Sequence, residues 1–237
     1  MAILDLKAVS VSLGDPPREI LRDITLTIHP GTITLLLGTN GCGKSVLFRT
    51  MLGLTGRYRG EILLKGRPLG NDASSLHRLS GVVFQNPEQQ LFGATLREDL
   101  LIGLPRETSL DEGILSALGL TDLLDRAPAE LSGGQRRRLA IAGALMGRPE
   151  LLFLDEPFIE LDYPSIQNLL DRLQLLRSEG GAVILASHES QDIWPLVDQL
   201  VILSEGRVLY QGDPSGGADL ITPAQGLRPL AGERVFS

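Results

Sequence analysis

The chain has 237 residues, of which 43% are hydrophobic and 22% charged, an ordinary globular composition that can bury a sizeable core. Its formal net charge of −7 argues against nucleic acid as the main partner and against direct adhesion to an anionic membrane, because both need a basic face. No apolar run approaches the ~20 residues that span a bilayer, and the charged residues among the first ten positions are unlike a signal peptide.

The N-terminal part of the chain combines two strand patterns. Residues 1–31 alternate apolar with polar side chains, which predicts antiparallel strands with one solvated face, and residues 60–69 predict another such strand. Residues 32–37 ("TITLLL") are nearly continuously apolar, which is typical of a parallel strand covered on both faces. A helix is predicted over residues 44–53, ending at Gly53. The alternation of buried strands and helices indicates an α/β protein with a largely parallel sheet.

Between that strand and that helix lies "GTNGCGKS" (38–45), a Walker A pattern in the context that the pattern requires. Its glycines allow backbone N–H groups to surround a β-phosphate at the positive end of the helix. Lys44 is expected to reach the outer phosphates, and the Ser45 hydroxyl can ligate Mg²⁺. The predicted phosphate-binding residues are Gly38, Thr39, Asn40, Gly41, Cys42, Gly43, Lys44 and Ser45.

Cys42 is the single cysteine of the chain, which excludes an internal disulfide and a cysteine-based zinc site and fits a reducing cytoplasm. Two interpretations of its place in the loop remain open. It is a small residue tolerated there, which is the simpler interpretation, or its thiol has a lowered pKa at the helix N-terminus and reacts with alkylating reagents.

The middle of the chain changes character after a fourth predicted strand. Residues 81–85 ("GVVFQ") end at Gln85, which could contact Mg²⁺ or an attacking water. Residues 87–148 lack strand patterns, and we expect a helical lobe inserted into the α/β core. Two capping-box patterns, Thr95 to Glu98 and Ser109 to Glu112, each precede an apolar-periodic segment and predict helix starts.

A second glycine-rich turn, "LSGGQRRRL" (131–139), opens a later helix, with Ser132 as its natural N-cap. Arg136, Arg137 and Arg138 lie in the first turns, where the helix macrodipole disfavours cations. They either form an exposed face, since arginine is a good helix former, or join the free N–H groups of the two glycines in binding a polyanion. The second interpretation is favoured, so the turn is predicted to meet a phosphate.

Two further apolar strands end in polar residues, at the sheet edge where α/β proteins bind ligands. "LLFLDEP" (151–157) ends in Asp155, placed to hold Mg²⁺ through water, and Glu156, placed to polarise a water that attacks a γ-phosphate. Adjacent acids could also begin a solvated loop, but the Walker A sequence favours catalysis. "AVILASH" (182–188) ends in His188, whose ordinary role would be that of a hydrogen-bonded polar residue.

The order of these motifs resembles that of the ATP-binding-cassette (ABC) ATPases over about residues 1–213. "GTNGCGKS", Gln85, "LSGGQ", "LLFLDE", the "ELD" of residues 160–162 and His188 carry the resemblance. "LSGGQ" between a Walker A and a Walker B sequence is close to diagnostic of that family.

The resemblance implies one α/β domain with a P-loop NTPase (RecA-like) core, an antiparallel β subdomain and an inserted α-helical subdomain. The core and the N-terminal β subdomain would comprise residues 1–86 and 149–213, and the helical subdomain with the signature motif residues 87–148. Residues 214–237, whose last twenty or so are rich in Gly, Pro and Ala, are expected to form a loosely held tail.

In that family two cassettes enclose two ATP molecules head to tail. The resemblance therefore implies ATP as substrate, Mg²⁺ as cofactor, and a second ATPase subunit, identical or different, as partner. It makes Glu156 the general base, His188 the sensor of the γ-phosphate, and Gln85 the link to a transmembrane partner. Asp162 would cross the dimer interface, and the partner's nucleotide would be met by Ser132, Gly133, Gly134 and Gln135.

Residues 84–103 ("FQNPEQQLFGATLREDLLIG") resemble the corresponding stretch of the energy-coupling-factor importers, which take up vitamins, cobalt or nickel. This implies a peripheral ATPase on the cytoplasmic face of the membrane. Its partners would be an integral membrane coupling protein and a substrate-binding membrane component, without nucleic acid. Two alternatives remain: another ABC transporter branch, or a soluble cassette of DNA repair or translation. The soluble cassette is disfavoured by the acidic balance, the single cassette and the short interval between the glycine-rich motifs.

Two positions depart from the family pattern. Leu13 stands near the place where an aromatic residue usually stacks on adenine, which predicts weaker adenine affinity and poorer discrimination among nucleoside triphosphates. Phe158 and Ile159 stand where small or hydroxyl residues are common, so the detailed geometry of the dimer contact is expected to differ there.

Overall fold

The computed structural model describes residues 1–70, 73–188, 191–222 and 227, and these form two sheets. The first sheet has the strand order β2-β1-β4-β5 with antiparallel neighbours, and the second has the order β10-β9-β3-β8-β7-β6. Neighbours in the second sheet are parallel except that β10 is antiparallel to β9. The strands are β1 (Leu4–Leu13), β2 (Arg18–Ile28), β3 (Ile33–Leu37), β4 (Arg59–Leu64), β5 (Arg67–Pro68), β6 (Ser80–Val83), β7 (Leu151–Asp155), β8 (Ala182–Ser187), β9 (Gln199–Ser204) and β10 (Arg207–Gly212).

Helices pack on the second sheet from both sides, in the α/β arrangement that the sequence predicts. Leu35 and Leu37 of β3 belong to a core shared with the long helices α5 and α6, whereas Leu36 belongs to a core shared with α1 and the first sheet. Burial on both faces explains the continuous apolar runs of the central strands. The helices are α1 (Lys44–Met51), α2 (Ser74–Leu79), α3 (Leu96–Leu101), α4 (Glu112–Ala117), α5 (Gly133–Met146), α6 (Tyr163–Ser178) and α7 (Pro214–Gly217).

The first sheet confirms the antiparallel prediction for residues 1–31 and corrects the one for residues 60–69. Within the second range the chain turns at Lys65 and Gly66 and divides into β4 and β5. Both turn residues have positive φ, of 49° and 76°. Two such residues give a tight turn whose twist matches that of the strands, so the segment is a hairpin instead of one strand.

The chain between β6 and β7, all of it described, contains helices and turns without a strand. Thr95 caps α3 as predicted, since its hydroxyl accepts the N–H of Glu98 at 3.3 Å. The prediction of a helix start at Ser109 is wrong: Asp111 caps α4, and its carboxylate accepts the N–H of Ile114 at 3.1 Å. Both residues are good caps, and packing of the apolar face that follows selects the later one.

Part of the C-terminal segment is packed, contrary to the expectation of a loose tail. Asp213 caps α7, Ala218–Leu220 forms a 3-10 turn, and the side chains of Ile221 and Leu227 are buried in the core below α5 and α6. The remainder of that expectation falls on residues 223–226 and 228–237, which lie outside the described residues. In the described part of the chain, no helix has the length and apolar character that crossing a membrane requires.

Candidate functional site

The loop between β3 and α1 forms a cradle of backbone N–H groups around a buried lysine. Gly41 and Gly43 have left-handed φ values of 79° and 112°, which favour glycine. A Cβ on Gly38 would stand 2.5 Å from the Cys42 sulfur, so the loop closes tightly only with glycine there. Lys44 is 7% exposed, and its ammonium donates to the carbonyl oxygens of Gly38 at 2.6 Å and Thr39 at 3.2 Å. Its charge therefore lies at the rim of the loop, where phosphate oxygens could be bound.

The Cys42 thiol is enclosed by the loop that carries it. The side chain is 5% exposed, and burial raises the pKa of the thiol above its ordinary value, although Lys44 partly offsets this. The alternative of a lowered pKa is thus wrong, because desolvation outweighs the helix N-terminus and the nearby ammonium.

Asp155 and Ser45 form an oxygen-rich pair at the carboxyl end of β7. The Ser45 hydroxyl donates to Oδ2 of Asp155 at 3.2 Å. Burial raises the pKa of the Asp155 carboxyl, and the hydrogen bond from Ser45 opposes that shift. A divalent cation would stabilise the charged carboxylate, and hydroxyl and carboxylate oxygens are the ligands that Mg²⁺ prefers. The exposed Gln85, two residues beyond β6, is the third predicted ligand, and its main-chain oxygen is bound to Arg137 at 2.9 Å.

The Glu156 carboxylate is held by two residues at the end of β8. Its Oε1 lies 2.9 Å from Nδ1 of His188, and its Oε2 accepts the Ser187 hydroxyl at 3.1 Å. The Glu156 backbone has a φ of +51°, which costs about 1–3 kcal/mol in a residue other than glycine. His188 therefore has a defined partner in Glu156, and Ser187 is a positioning residue that the sequence motifs do not reveal.

A cavity of 280 Å³ adjoins this carboxylate and could admit water next to the proposed general base. Phe158 and Ile159, the departures from the family pattern, form part of its wall together with Glu156 and His188. Phe158 also packs against the core, whereas Ile159 is 38% exposed.

The turn at residues 131–135 has a complete capping box. The Ser132 hydroxyl accepts the N–H of Gln135 at 3.3 Å, and the Gln135 side chain accepts the N–H of Ser132 at 2.9 Å. Gly133 and Gly134 accommodate Glu160, because a Cβ on Gly133 would stand 2.5 Å from the Glu160 carboxylate oxygen. Asp162 caps α6, and hydrogen bonds from Ser165 lower the pKa of its carboxyl. In the described part of the chain, no hydrogen bond or ion pair joins this turn to residues 38–45.

The three arginines after the turn bind within the chain and do not form a cationic face for a polyanion, which corrects the favoured interpretation. Arg136 pairs with Glu88 at 2.6 Å and also donates to the Leu131 carbonyl. Arg137 is 3% exposed and donates to the main-chain oxygens of Glu156 and Gln85. Arg138 donates to the Ser165 hydroxyl at 3.2 Å. Any anion at the turn would therefore be met by the glycine N–H groups and the Ser132 side chain.

These positions define a class of protein. An anion cradle opens the first helix after a central strand, and two carboxylates end a second strand of the same parallel sheet, the arrangement of P-loop nucleoside triphosphatases. Within that class the chain belongs to the ABC transporter family. The model of this family, described as "ABC transporter", matches residues 21–159. It is accordingly an ATP-binding domain with ATPase function.

Known proteins resemble the chain over most of its length. The energy-coupling factor transporter ATP-binding protein EcfA of Methanocaldococcus jannaschii is 35% identical over 206 residues, 82% of this chain and 74% of the relative. The cobalt import ATP-binding protein CbiO of Rhodobacter capsulatus is 38% identical over 224 residues, 89% of this chain and 80% of the relative.

Solved structures share the fold. CbiO1 of Clostridium perfringens, part of the ABC transporter complex CbiONQ, superposes with a TM-score of 0.77 at 32% identity, covering 91% of this chain and 90% of that one. A bacterial ABC transporter cassette solved as a dimer, MJ0796, has a TM-score of 0.76 at 25% identity, covering 89% and 98%. The P-loop NTPase fold with its antiparallel β portion is thereby established for this chain.

Proposed function

We propose that this chain is the ATPase subunit of a membrane importer of the energy-coupling-factor type. The observation that carries the proposal is the presence of two half-sites in one chain: a nucleotide cradle with its lysine and carboxylates, and a separate glycine turn that contains no lysine. The EcfA and CbiO relatives support the importer branch. The proposed location is peripheral, on the cytoplasmic face of the membrane.

In the proposed mechanism, backbone N–H groups of residues 38–45 and the Lys44 ammonium bind the ATP phosphates. Ser45, Asp155 and Gln85 would hold Mg²⁺, which neutralises phosphate charge when bound. Glu156 accepts the proton of the attacking water, in an orientation set by Ser187 and His188.

The second half-site is proposed to act on the ATP of a second cassette. The N–H groups of the turn and the Ser132 hydroxyl stabilise the γ-phosphate bound by the partner's cradle, with Gly133, Gly134 and Gln135 shaping the contact. Asp162 lies at the start of α6, close to Glu160 and therefore beside the same turn. Hydrolysis would then require two subunits, and closure and reopening of the dimer would move the membrane partner.

A groove of 1380 Å³ is the proposed docking place for the membrane coupling protein. It lies between the helical segment and the β6 edge of the second sheet, and it adjoins the segment that follows Gln85. Gln90, Leu91 and Ile102 contribute to its wall, and Ile102 is 53% exposed. Movement of the Gln85 loop would therefore change the contacts of a protein bound in the groove.

An Ile102→Asp variant tests this proposal. Because seating an unpaired carboxylate in an apolar contact costs well over 1.4 kcal/mol, we expect at least about ten-fold less integral membrane protein to co-purify with it. ATP hydrolysis by the isolated subunit should be unchanged. Leu209→Asp is the matched control, since Leu209 is 47% exposed on β10 at the opposite edge of the same sheet.

Quantitative mass spectrometry of detergent-solubilised membranes provides the measurement. Equal recovery of membrane protein with both variants would contradict docking in the groove. Recovery of no integral membrane protein, even with the unmodified chain, would contradict the importer function itself.

The nucleotide preference of the site is predicted to be weak. Leu13 is 43% exposed and pairs with Arg18, where β1 ends and β2 begins. Ile20 and Leu21 of that hairpin approach Gly43 of the cradle. An aliphatic side chain there lacks the aromatic stacking worth about 1–3 kcal/mol per base. We therefore expect GTP to compete with ATP within about one order of magnitude of its affinity.

A Leu13→Tyr variant should bind ATP about 5- to 140-fold more tightly, the affinity equivalent of that stacking energy. Leu209→Tyr, an equally exposed site elsewhere, should have no effect. Competition titrations with a fluorescent nucleotide measure both. A strong preference for ATP over GTP that Leu13→Ala leaves unchanged would overturn this prediction.

A further inference from the structure

One arginine of the helical segment is buried against main chain of the nucleotide site. Arg137, in the second turn of α5, is 3% exposed. Its Nη1 donates to the main-chain oxygen of Glu156 at 3.1 Å, and its Nη2 donates to that of Gln85 at 2.9 Å. A single guanidinium thus bridges the loop after β7 and the loop after β6, which follow two neighbouring parallel strands.

Burying a guanidinium to hold two loops together costs desolvation free energy. In the described residues Arg137 forms no ion pair, and its Nε is buried without a hydrogen-bond partner. Burial lowers the pKa of the guanidinium, while the charges of Glu160, Asp155 and Glu156 oppose the shift, and arginine stays protonated. Replacing such buried charges with apolar residues of similar volume is often neutral or stabilising, so stability alone gives no reason for an arginine here.

The two carbonyls that Arg137 binds belong to residues proposed to act on the nucleotide. Glu156 has the strained φ of +51°; Arg137 binds its carbonyl, and Ser187 and His188 contact its carboxylate. Gln85 is exposed, and its main-chain oxygen has this one described partner. A displacement of the guanidinium would therefore move both residues, the proposed base and the proposed sensor, at the same time.

The helix that carries Arg137 begins at the glycine turn. Ser132 caps α5, and Arg137 follows five residues later, about 7.5 Å along the axis at 1.5 Å per residue. Hydrogen bonds join the backbone groups of the first turns of a capped helix to each other and to the cap. Contact of the turn with a phosphate would therefore be transmitted to Arg137.

We propose that Arg137 is a positioning residue that couples the glycine turn of a chain to its own Glu156 and Gln85, so that ATP bound on one side of the dimer aligns the catalytic loop on the other. This inference rests on the proposed two-site dimer. It assigns to Arg137 a part in cooperativity between the sites, whereas Arg136 and Arg138 fasten the helix to Glu88 and Ser165.

The first test measures ATP hydrolysis against ATP concentration for Arg137→Met and Arg137→Lys. Misplacement of a catalytic group by about 1 Å costs about 100-fold, so we expect Arg137→Met to lose about 10- to 100-fold in kcat. Its Hill coefficient should fall towards one, and ATP affinity of the monomer should stay unchanged. Arg137→Lys, which can reach one carbonyl at a time, should recover part of the rate.

Arg177→Met is the matched control, since Arg177 also donates to a backbone carbonyl, that of Leu196 at 3.1 Å, away from the site. It should leave kcat and the Hill coefficient as in the unmodified chain. The melting temperature of each variant without nucleotide separates coupling from folding. Wild-type cooperativity in a folded Arg137→Met protein would overturn the proposal, and so would a loss of rate that follows loss of stability in both arginine variants.

The second test places the change on one side of a mixed dimer. A protomer with an intact Glu156 is paired with a Glu156→Gln protomer through two affinity tags, so that one site hydrolyses ATP. Arg137→Met in the protomer with the intact Glu156 should remove most of the activity, and the same change in the other protomer should remove much less. A larger loss with the change in the other protomer would mean that Arg137 acts only through the glycine turn that serves the intact site, and it would overturn the proposal. Failure of the unmodified pair to dimerise or hydrolyse ATP would instead contradict the proposed function.

Discussion

A Glu156→Gln variant is expected to hydrolyse ATP about 100- to 10,000-fold more slowly than the unmodified chain, the loss that removal of a general base produces. The amide has the size of the carboxylate and can still accept the Ser187 hydroxyl, so the geometry of the loop should persist. It cannot take the proton of the attacking water. Lys44, Ser45 and Asp155 are untouched, and ATP affinity should stay within about two-fold.

The same variant is expected to accumulate as an ATP-bound dimer, because in the proposed mechanism ATP binding closes the dimer and hydrolysis reopens it. Light scattering with and without ATP measures the dimer, and phosphate release measures turnover. Glu150→Gln is the matched control: Glu150 directly precedes β7, at the end opposite Glu156, and forms a surface ion pair with Lys65. A normal hydrolysis rate in Glu156→Gln would show that another group takes the proton.

The central sheet and the nucleotide cradle were predictable because their sequence signals are local. Strands buried on both faces must be continuously apolar, and β3, β7 and β8 satisfy that requirement without ambiguity. The cradle requires glycine at fixed offsets, since Gly41 and Gly43 have left-handed backbones. Such constraints act on neighbouring residues, and a single chain therefore displays them.

The sequence predictions were wrong where a side chain contacts residues distant in sequence, or where two nearby residues are equally suited to cap a helix. An arginine near the start of a helix is expected to be exposed or to bind an anion. Nothing near Arg137 in sequence indicates that its guanidinium binds the carbonyls of Gln85 and Glu156. The same holds for Ser187 and for Glu160 beside Gly133. Asp111 instead of Ser109 caps α4 because tertiary packing chooses between two suitable caps.

One missed feature did leave a local signal. The Lys-Gly pair at positions 65 and 66 stands between short apolar runs, and a residue followed by glycine with positive φ at both positions is typical of a two-residue hairpin. The raised pKa of Cys42 had no such signal, because burial by the closing loop, which the sequence does not display, outweighs the helix terminus.

A Ser132→Arg variant is expected to bind ATP as a monomer with nearly unchanged affinity and to lose hydrolysis and ATP-induced dimerisation. The arginine fills the space in front of the glycine N–H groups and removes the cap on α5, which costs about 1 kcal/mol of stability. The nucleotide cradle shares no described hydrogen bond with the turn, so binding within one subunit should persist. Thr95→Arg, the same change at the cap of α3, controls for lost stability and should retain hydrolysis.

Mixing the two inactive variants provides the sharpest test of a site shared between subunits. In a dimer of Ser132→Arg with Glu156→Gln, the first protomer supplies an intact cradle and Glu156, and the second supplies an intact glycine turn. One complete site therefore forms, and part of the turnover should return although each variant alone hydrolyses ATP far more slowly than the unmodified chain. Recovery should be partial, because the altered turn of the Ser132→Arg protomer cannot align its own Glu156 through Arg137. If the turn served the nucleotide of its own chain, each site of the mixed dimer would keep its defect and no activity would return. Normal turnover by Ser132→Arg alone would contradict any role of the turn in the chemistry.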